Sequence, residues 1–447
     1  MKSTAKHRHL RKGLAAIALV ASAVIVAGCA SVEPTKQDAA EGFTPVKQDE
    51  TSEINVLVDP TRQAAVEAYQ AAHPDAKIKI ETFDGLGLQA KISLLDKAGS
   101  GWPDVIFSPG TADSAWASQS SGGGVQPFAA PLNQDIVPQA TLDEWAEGSL
   151  APCESGGDVY CLRNDLAQTV TWYNKALFDE WGYEVPTTWE DYEALGLKVA
   201  DEHPGYLIGQ IGDPNSLDVY FWASRCSAQE NTDDPKTIKV NMTTPECTRV
   251  ATMLDNLIEA GVMGKQSYFE KGIDGSKLLM AVGPSWYGKY LFEATYNAPA
   301  GQIGVADQPQ WEGDSEASNG SVGGGIWMVS SHSKNLKAAS DLAVWATSDT
   351  EFQKTAPTYP ANTKAASAWL ENPDNIAYFA TDVKAPFEKA AGQTWKGWAN
   401  TTFLDQDPYK NVVLTAVNGG KTVTSVMGDW QTEAANTAKA AGYKVVE

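Results

Sequence analysis

Histidine, cysteine and basic residues are all scarce in this 447-residue chain, which has five His, five Cys and 34 Lys plus Arg against 56 Asp plus Glu. Each shortage excludes a class of function. Beyond a leader that stops before Cys29, only His73, His203 and His332 remain, and none stands near a Cys at metal-ligand spacing. Neither a zinc site nor a histidine-dependent triad has much material here. The leader also carries five of the basic residues, so the remainder holds 29 basic against 56 acidic residues, a net charge of −27. A surface this acidic repels phosphate backbones and anionic headgroups, which argues against nucleic acid or lipid surfaces as direct partners. The phosphate-cradling loop is missing as well: Gly122 to Gly124 has no strand before it and no Lys to complete it. Gly283-Pro284-Ser285-Trp286-Tyr287 is not the Gly-x-Ser-x-Gly elbow of a hydrolase, and no short constellation marks the opposed carboxylates of a glycosidase. No repeat of solenoid period occurs, and no cofactor is implied.

The leader itself is informative. Lys2, Lys6, Arg8, Arg11 and Lys12 precede the uncharged run Leu14 to Val26, which is too short to span ~30 Å of hydrocarbon. That is the pattern of a secretory signal peptide. Its end, Val26-Ala27-Gly28-Cys29, resembles a bacterial lipoprotein signal, which implies cleavage after residue 28 and lipid on Cys29. Ser31 to Ser52 is polar and Pro-containing, so 29–52 is expected to be a flexible tether that attaches the protein to the outer face of the membrane through its lipid alone. An exported chain can hold disulfides. Cys153, Cys161, Cys226 and Cys247 allow three connectivities, and the low entropy cost of closing short loops favours Cys153 with Cys161 and Cys226 with Cys247.

Removing the leader leaves 419 of the 447 residues, enough for two or three domains. Ile54 to Val58 reads as a strand, Thr61 to His73 as a helix, Lys77 to Glu81 as a strand, Leu88 to Leu95 as a helix ended by Gly99, and Asp104 to Phe107 as a strand. This β-α-β-α-β order predicts a parallel sheet with right-handed crossovers. Ligands of such sheets lie beyond the carboxyl ends of the strands. The rule nominates Asp59 and Arg62 after the first strand, Asp84 after the second, and Ser108, Thr111 and Asp113 after the third. Each also has a plain structural role available, since Asp59 can cap a helix and Asp84 can serve a turn. Further on, Leu166 to Tyr173 reads as a strand, Asn174 opens a helix through Trp181, and Thr187 with Glu190 has capping-box spacing. A second α/β unit follows, with Tyr206 to Ile211 as a strand and Thr248 to Ala260 as a helix. Leu278 to Val282 is a buried strand that a Gly-Pro turn ends ahead of Trp286.

Five stretches together resemble the extracellular solute-binding proteins of family 1, the carbohydrate-binding partners of ABC importers. They are Gly101 to Val105, Trp172 to Phe178, Val185 to Glu190, Met280 to Trp286, and Gly324-Gly325 through Ser333-Lys334 to Ala338. The resemblance implies an α/β, two-lobed, periplasmic-binding-protein-like fold with several hinge crossovers and a sugar-binding cleft between the lobes. It assigns 53–165 plus 318–352 to the N-terminal lobe and 166–317 plus 353–447 to the C-terminal lobe. Position by position it points to Trp286 and Tyr359 as aromatic contacts, to Asp59, Arg62, Ser108 and Asp113 as first-lobe polar contacts, and to Asp165 and Gln168 where the chain crosses lobes. ABC permease subunits are the implied partners, and a monomer is expected. Two Cys pairs depart from the family pattern. Ser108 stands where its maltose binders place an aromatic, so a maltodextrin specificity is not carried over.

Sugar chemistry suits the composition. A pyranose offers a C–H face to aromatic rings and hydroxyls to carboxylates, amides and Arg. Of fifteen Trp, those at 145, 181, 189 and 345 are expected to pack on helices. Trp222, Trp286, Trp327, Trp395 and Trp398 lie in or near loops or Gly-rich segments, and about two of them are expected in a cleft. An exported hydrolase and a surface glycan adhesin are the rival readings. A polyol, glycerol phosphate or peptide is the rival cargo.

Overall fold

The computed structural model describes residues 43–84, 87–119, 125–232, 234, 236–398 and 406–447. The leader, Cys29 and the Gly122 to Gly124 loop lie outside the described residues. Residues 43–52, the last ten of the expected tether, are pinned to the body. Phe43 packs on the first core and its N–H donates to Gln134 Oε1 at 2.6 Å, while Asn335 Nδ2 donates to the carbonyls of Glu50 and Ser52. The apolar ring of Phe43 and the side-chain amide of Gln48, which bonds to Ser333 and Leu336, were overlooked amid the polar composition.

Strand β1 (Ile54–Val58), helix α1 (Gln63–Ala72), strand β2 (Ile78–Thr82), helix α2 (Leu88–Ala98) and strand β3 (Val105–Ser108) follow in the expected order. β1 pairs in parallel with both β2 and β3, so it is an interior strand of the sheet. Gly99 closes α2 in the left-handed region at φ 65°, where a side chain would strain the backbone. Helix α3 (Ala112–Ala117) starts just beyond β3. After it come β4 (Leu162–Arg163), β5 (Thr169–Asn174), helix α4 (Pro214–Trp222), β6 (Met280–Pro284), β7 (Ile303–Ala306) and β8 (Ile326–Val329). The first sheet has the order β2-β1-β3-β8-β4, with β8 antiparallel to both neighbours.

The second sheet, β6-β5-β7, is antiparallel and covered on both faces. Val170, Trp172, Ala281, Ile303 and Val305 face one hydrophobic core, and Tyr173, Met280 and Val282 face the other. Side chains alternate across a strand, so a strand between two cores must be apolar or hydrogen-bonded throughout. All six residues of β5 are accordingly buried. The expected strand from Leu166 begins later because Leu166 to Gln168 belong to a crossover. The Gly283-Pro284 pair lies within β6 instead of forming a turn after it. Thr188, not Thr187, caps the following helix by accepting from the Asp191 N–H at 3.0 Å, and Tyr206 to Ile211 yields only the short strand Gly209–Gln210. Both expected disulfides are formed, Cys153 with Cys161 and Cys226 with Cys247.

The sheets are joined by segments that run side by side. Residues 164–168 lead from β4 to β5, and 307–325 lead from β7 back to β8. The two segments meet at Val322 N–H to Ala167 O, 3.1 Å, and Asp165 N–H to Gly324 O, 2.9 Å. A third strand of chain bridges Asp165 at Pro360. Residues 356–372 take partners from the first lobe: Lys364 pairs with Glu144, and Asn362 bridges Trp145. We therefore put the last passage between lobes after Asn372, later than the expected boundary at 352.

Candidate functional site

Arg163 lies at the centre of the crossovers. It is fully buried, and its Nη2 lies 2.8 to 3.1 Å from the carbonyls of Asp165, Leu166 and Gly323 and from Ser321 Oγ. Burial draws the guanidinium down to about 10, with the Asp165 carboxylate acting against the shift. Gly324 is required beside it: φ is 102°, and a Cβ there would stand 2.1 Å from Arg163 Nη2.

Polar and aromatic groups gather on the same crossover. Arg62 reaches from the start of α1 to Asp165 Oδ1 at 3.7 Å, with its guanidinium 4.8 Å from the centre of the Phe107 ring. Asp165 is fixed by its own N–H on Gly324 O and accepts from Asn164 Nδ2 at 3.0 Å. From the other lobe, Trp286 Nε1 donates to Val322 O at 2.8 Å. Trp286 and Asp165 are thus tied to backbone carbonyls two residues apart, a span of at most ~7 Å. Phe269 and Tyr290, 44% and 40% exposed, stand beside Trp286 with ring centres 6.0 and 6.4 Å away.

Beyond β3 a second polar group is built. Ser108 Oγ donates to Asp113 Oδ2 at 2.6 Å, Gln89 Nε2 donates to Asp113 Oδ1 at 3.0 Å, and the Gly110 N–H donates to Ser108 Oγ. Thr111 sits at the N-cap of α3 without a side-chain capping bond. Asp59 is occupied locally, accepting from Thr61 and from the Arg62 N–H in the turn ahead of α1. Asp84 is exposed at the end of β2.

Four expected contacts lie elsewhere. Gln168 is fully buried and donates to Phe387 O inside the crossover. Tyr359 is packed between Trp369 and Phe387, and burial raises its hydroxyl well above the ordinary range. Trp222 lies against Gly320 and Trp398, and Trp395 lines a separate cavity at the lobe boundary. Trp327 and Trp398 are buried, and Trp145 sits at a β-bridge instead of on a helix. Sequence reasoning missed Gln89, Phe107, Phe269 and Tyr290. Tyr290 follows Trp286 by one helical turn and could have been found by that spacing; the other three meet the site only through tertiary packing. Asp218 was also missed. Burial and the nearby Asp213 carboxylate push it up to about 8.

Residues 56–351 match the sequence pattern of the family described as bacterial extracellular solute-binding protein. The chain belongs to that family. This solute-binding protein is 25% identical over 301 residues to an arabinooligosaccharide-binding protein of Halalkalibacterium halodurans, an alignment covering 63% of each. The chain therefore matches less than two thirds of that relative's length. Among solved structures it resembles the galacto-N-biose/lacto-N-biose I-binding protein of the ABC transporter from Bifidobacterium longum, with a TM-score of 0.70, 20% identity, and coverage of 90% of this chain and 100% of that one. The ABC-transporter-associated binding protein of B. animalis subsp. lactis, in complex with beta-1,6-galactobiose, gives 0.67 at 19% identity, covering 88% and 99%. These likenesses establish the two-lobed fold of periplasmic sugar-binding proteins for this solute-binding protein. The order of its sheets and crossovers agrees with that fold.

Proposed function

We propose that this protein is a receptor, anchored by lipid on Cys29, that captures a neutral mono- or oligosaccharide between its lobes and delivers it to ABC permease subunits. It performs no catalysis in this reading. The observation that carries the proposal is the convergence of Trp286 from one lobe with the Arg62–Asp165 pair of the other on Val322 and Gly324 of a single crossover. An aromatic face beside a carboxylate and a guanidinium supplies both halves of sugar recognition. The names of the similar proteins, which bind arabinooligosaccharides, galactobiose and lacto-N-biose, support a neutral oligosaccharide.

The test is a thermal-shift panel of those three sugar classes. Trp286→Ala is expected to abolish the ligand-induced shift while leaving the ligand-free melting point within about 2 °C, since the indole is only partly buried. Equal loss of both makes Trp286 a packing residue. Release of sugar products at enzymatic rates overturns the receptor reading.

A further inference from the structure

A cavity of about 460 Å³ opens at the lobe boundary, within the range of small-ligand sites. Its two walls share an unusual property: each is a loop closed by a disulfide. The Cys153–Cys161 loop contributes Glu154 to Gly157 from the first lobe, and the Cys226–Cys247 loop contributes Glu230, Asn231, Thr237 and Ile238 from the second. Between them lies Trp395, half-buried and backed by Gly397, where a Cβ would stand 2.3 Å from the indole. The cavity is hydrogen-bonded to the crossover: the Trp395 N–H donates to Asn319 O at 2.8 Å. Three residues on, Trp398 lies 5.8 Å from both the Trp222 ring and the Arg163 guanidinium. Helix α3 runs from Asp113 of the polar group to Ala115 in the cavity wall.

We propose that this cavity is an outer subsite of the cleft, taking the rings of a neutral oligosaccharide that extend beyond those at Trp286. This rests on the saccharide reading above. Trp395 supplies a stacking face, Glu154 and Glu230 accept from hydroxyls, and the disulfides hold the two loops in shape while the lobes move. Lys396 also lines the cavity and Lys239 pairs with Glu230 at 3.2 Å, so the wall carries both signs of charge and suits a neutral sugar.

The experiment is calorimetry with arabino- and galacto-oligosaccharides of two to six rings. Wild type is expected to gain at least about tenfold in affinity between two rings and the longer members. Glu154→Ala, on an exposed hairpin, is expected to reduce that gain about threefold, and Trp395→Ala to remove it, with Trp395→Phe restoring most of it. Affinity that stays flat beyond two rings, or variants that weaken short and long sugars equally, overturns the outer subsite while leaving the receptor reading intact. Binding of none of these sugars at any length defeats the receptor reading, and the subsite with it.

Discussion

Arg163 is the side chain on which most of the crossover depends. Removing it leaves the carbonyls of Asp165 and Gly323 buried without this donor, at roughly 1 to 3 kcal/mol each, and deprives Asp165 of a neighbouring positive charge. Arg163→Met, close in size, is therefore expected to lower stability by about 3 kcal/mol or more in urea unfolding; a loss under 1 kcal/mol contradicts this role. Asp218 makes a different prediction. Its carboxyl is raised from 3.8 to about 8 by burial, and the charge facing it is Asp213 at the start of the same helix, which Tyr287 also faces. Between those pH values the folded chain holds a proton that the unfolded chain has released, so stability falls as pH rises through the window. Asp218→Asn removes this slope. The variant is expected to match wild type near pH 4 and exceed it increasingly up to pH 8, and a difference that does not change with pH refutes the assignment.

Among the elements, those with a periodic pattern and a terminating residue were legible: β1, α1, β2, α2 and β3 lie within a few residues of where the sequence puts them. Residues whose place depends on partners far along the chain were not. Gln168 and Tyr359 look like cleft residues in sequence, yet Phe387, from a helix more than twenty residues past Tyr359, buries both. Asp59, nominated for ligand, accepts from the Thr61 N–H in the turn ahead of α1, since a carboxylate readily reaches an N–H two residues on. The two disulfides were readable because loop length alone ranks the pairings. They also differ in size, with separations of 8 and 21 residues. Loss of the larger loop's constraint releases more unfolded-state entropy, so Cys226→Ser with Cys247→Ser is expected to cost more than Cys153→Ser with Cys161→Ser, each near ~2 to 4 kcal/mol. Calorimetric melting points of the two double variants check the order.

At the scale of the whole molecule, the proposed receptor makes binding and closure one event. In that proposal each lobe holds part of the site, and both parts are hydrogen-bonded to the 322–324 segment of one crossover. A sugar bridging Trp286 and the Arg62–Asp165 pair stabilises only the arrangement in which both reach it, so the equilibrium moves by the difference in affinity between open and closed forms. Two measurements should therefore change together. At a sugar concentration 100 times the dissociation constant, stability rises by about 2.7 kcal/mol. In solution scattering the radius of gyration shrinks over the same titration, and Trp286→Ala abolishes both responses. A stability gain with an unchanged radius would mean that the sugar binds on one lobe alone, and the interlobe cleft would then not be the site.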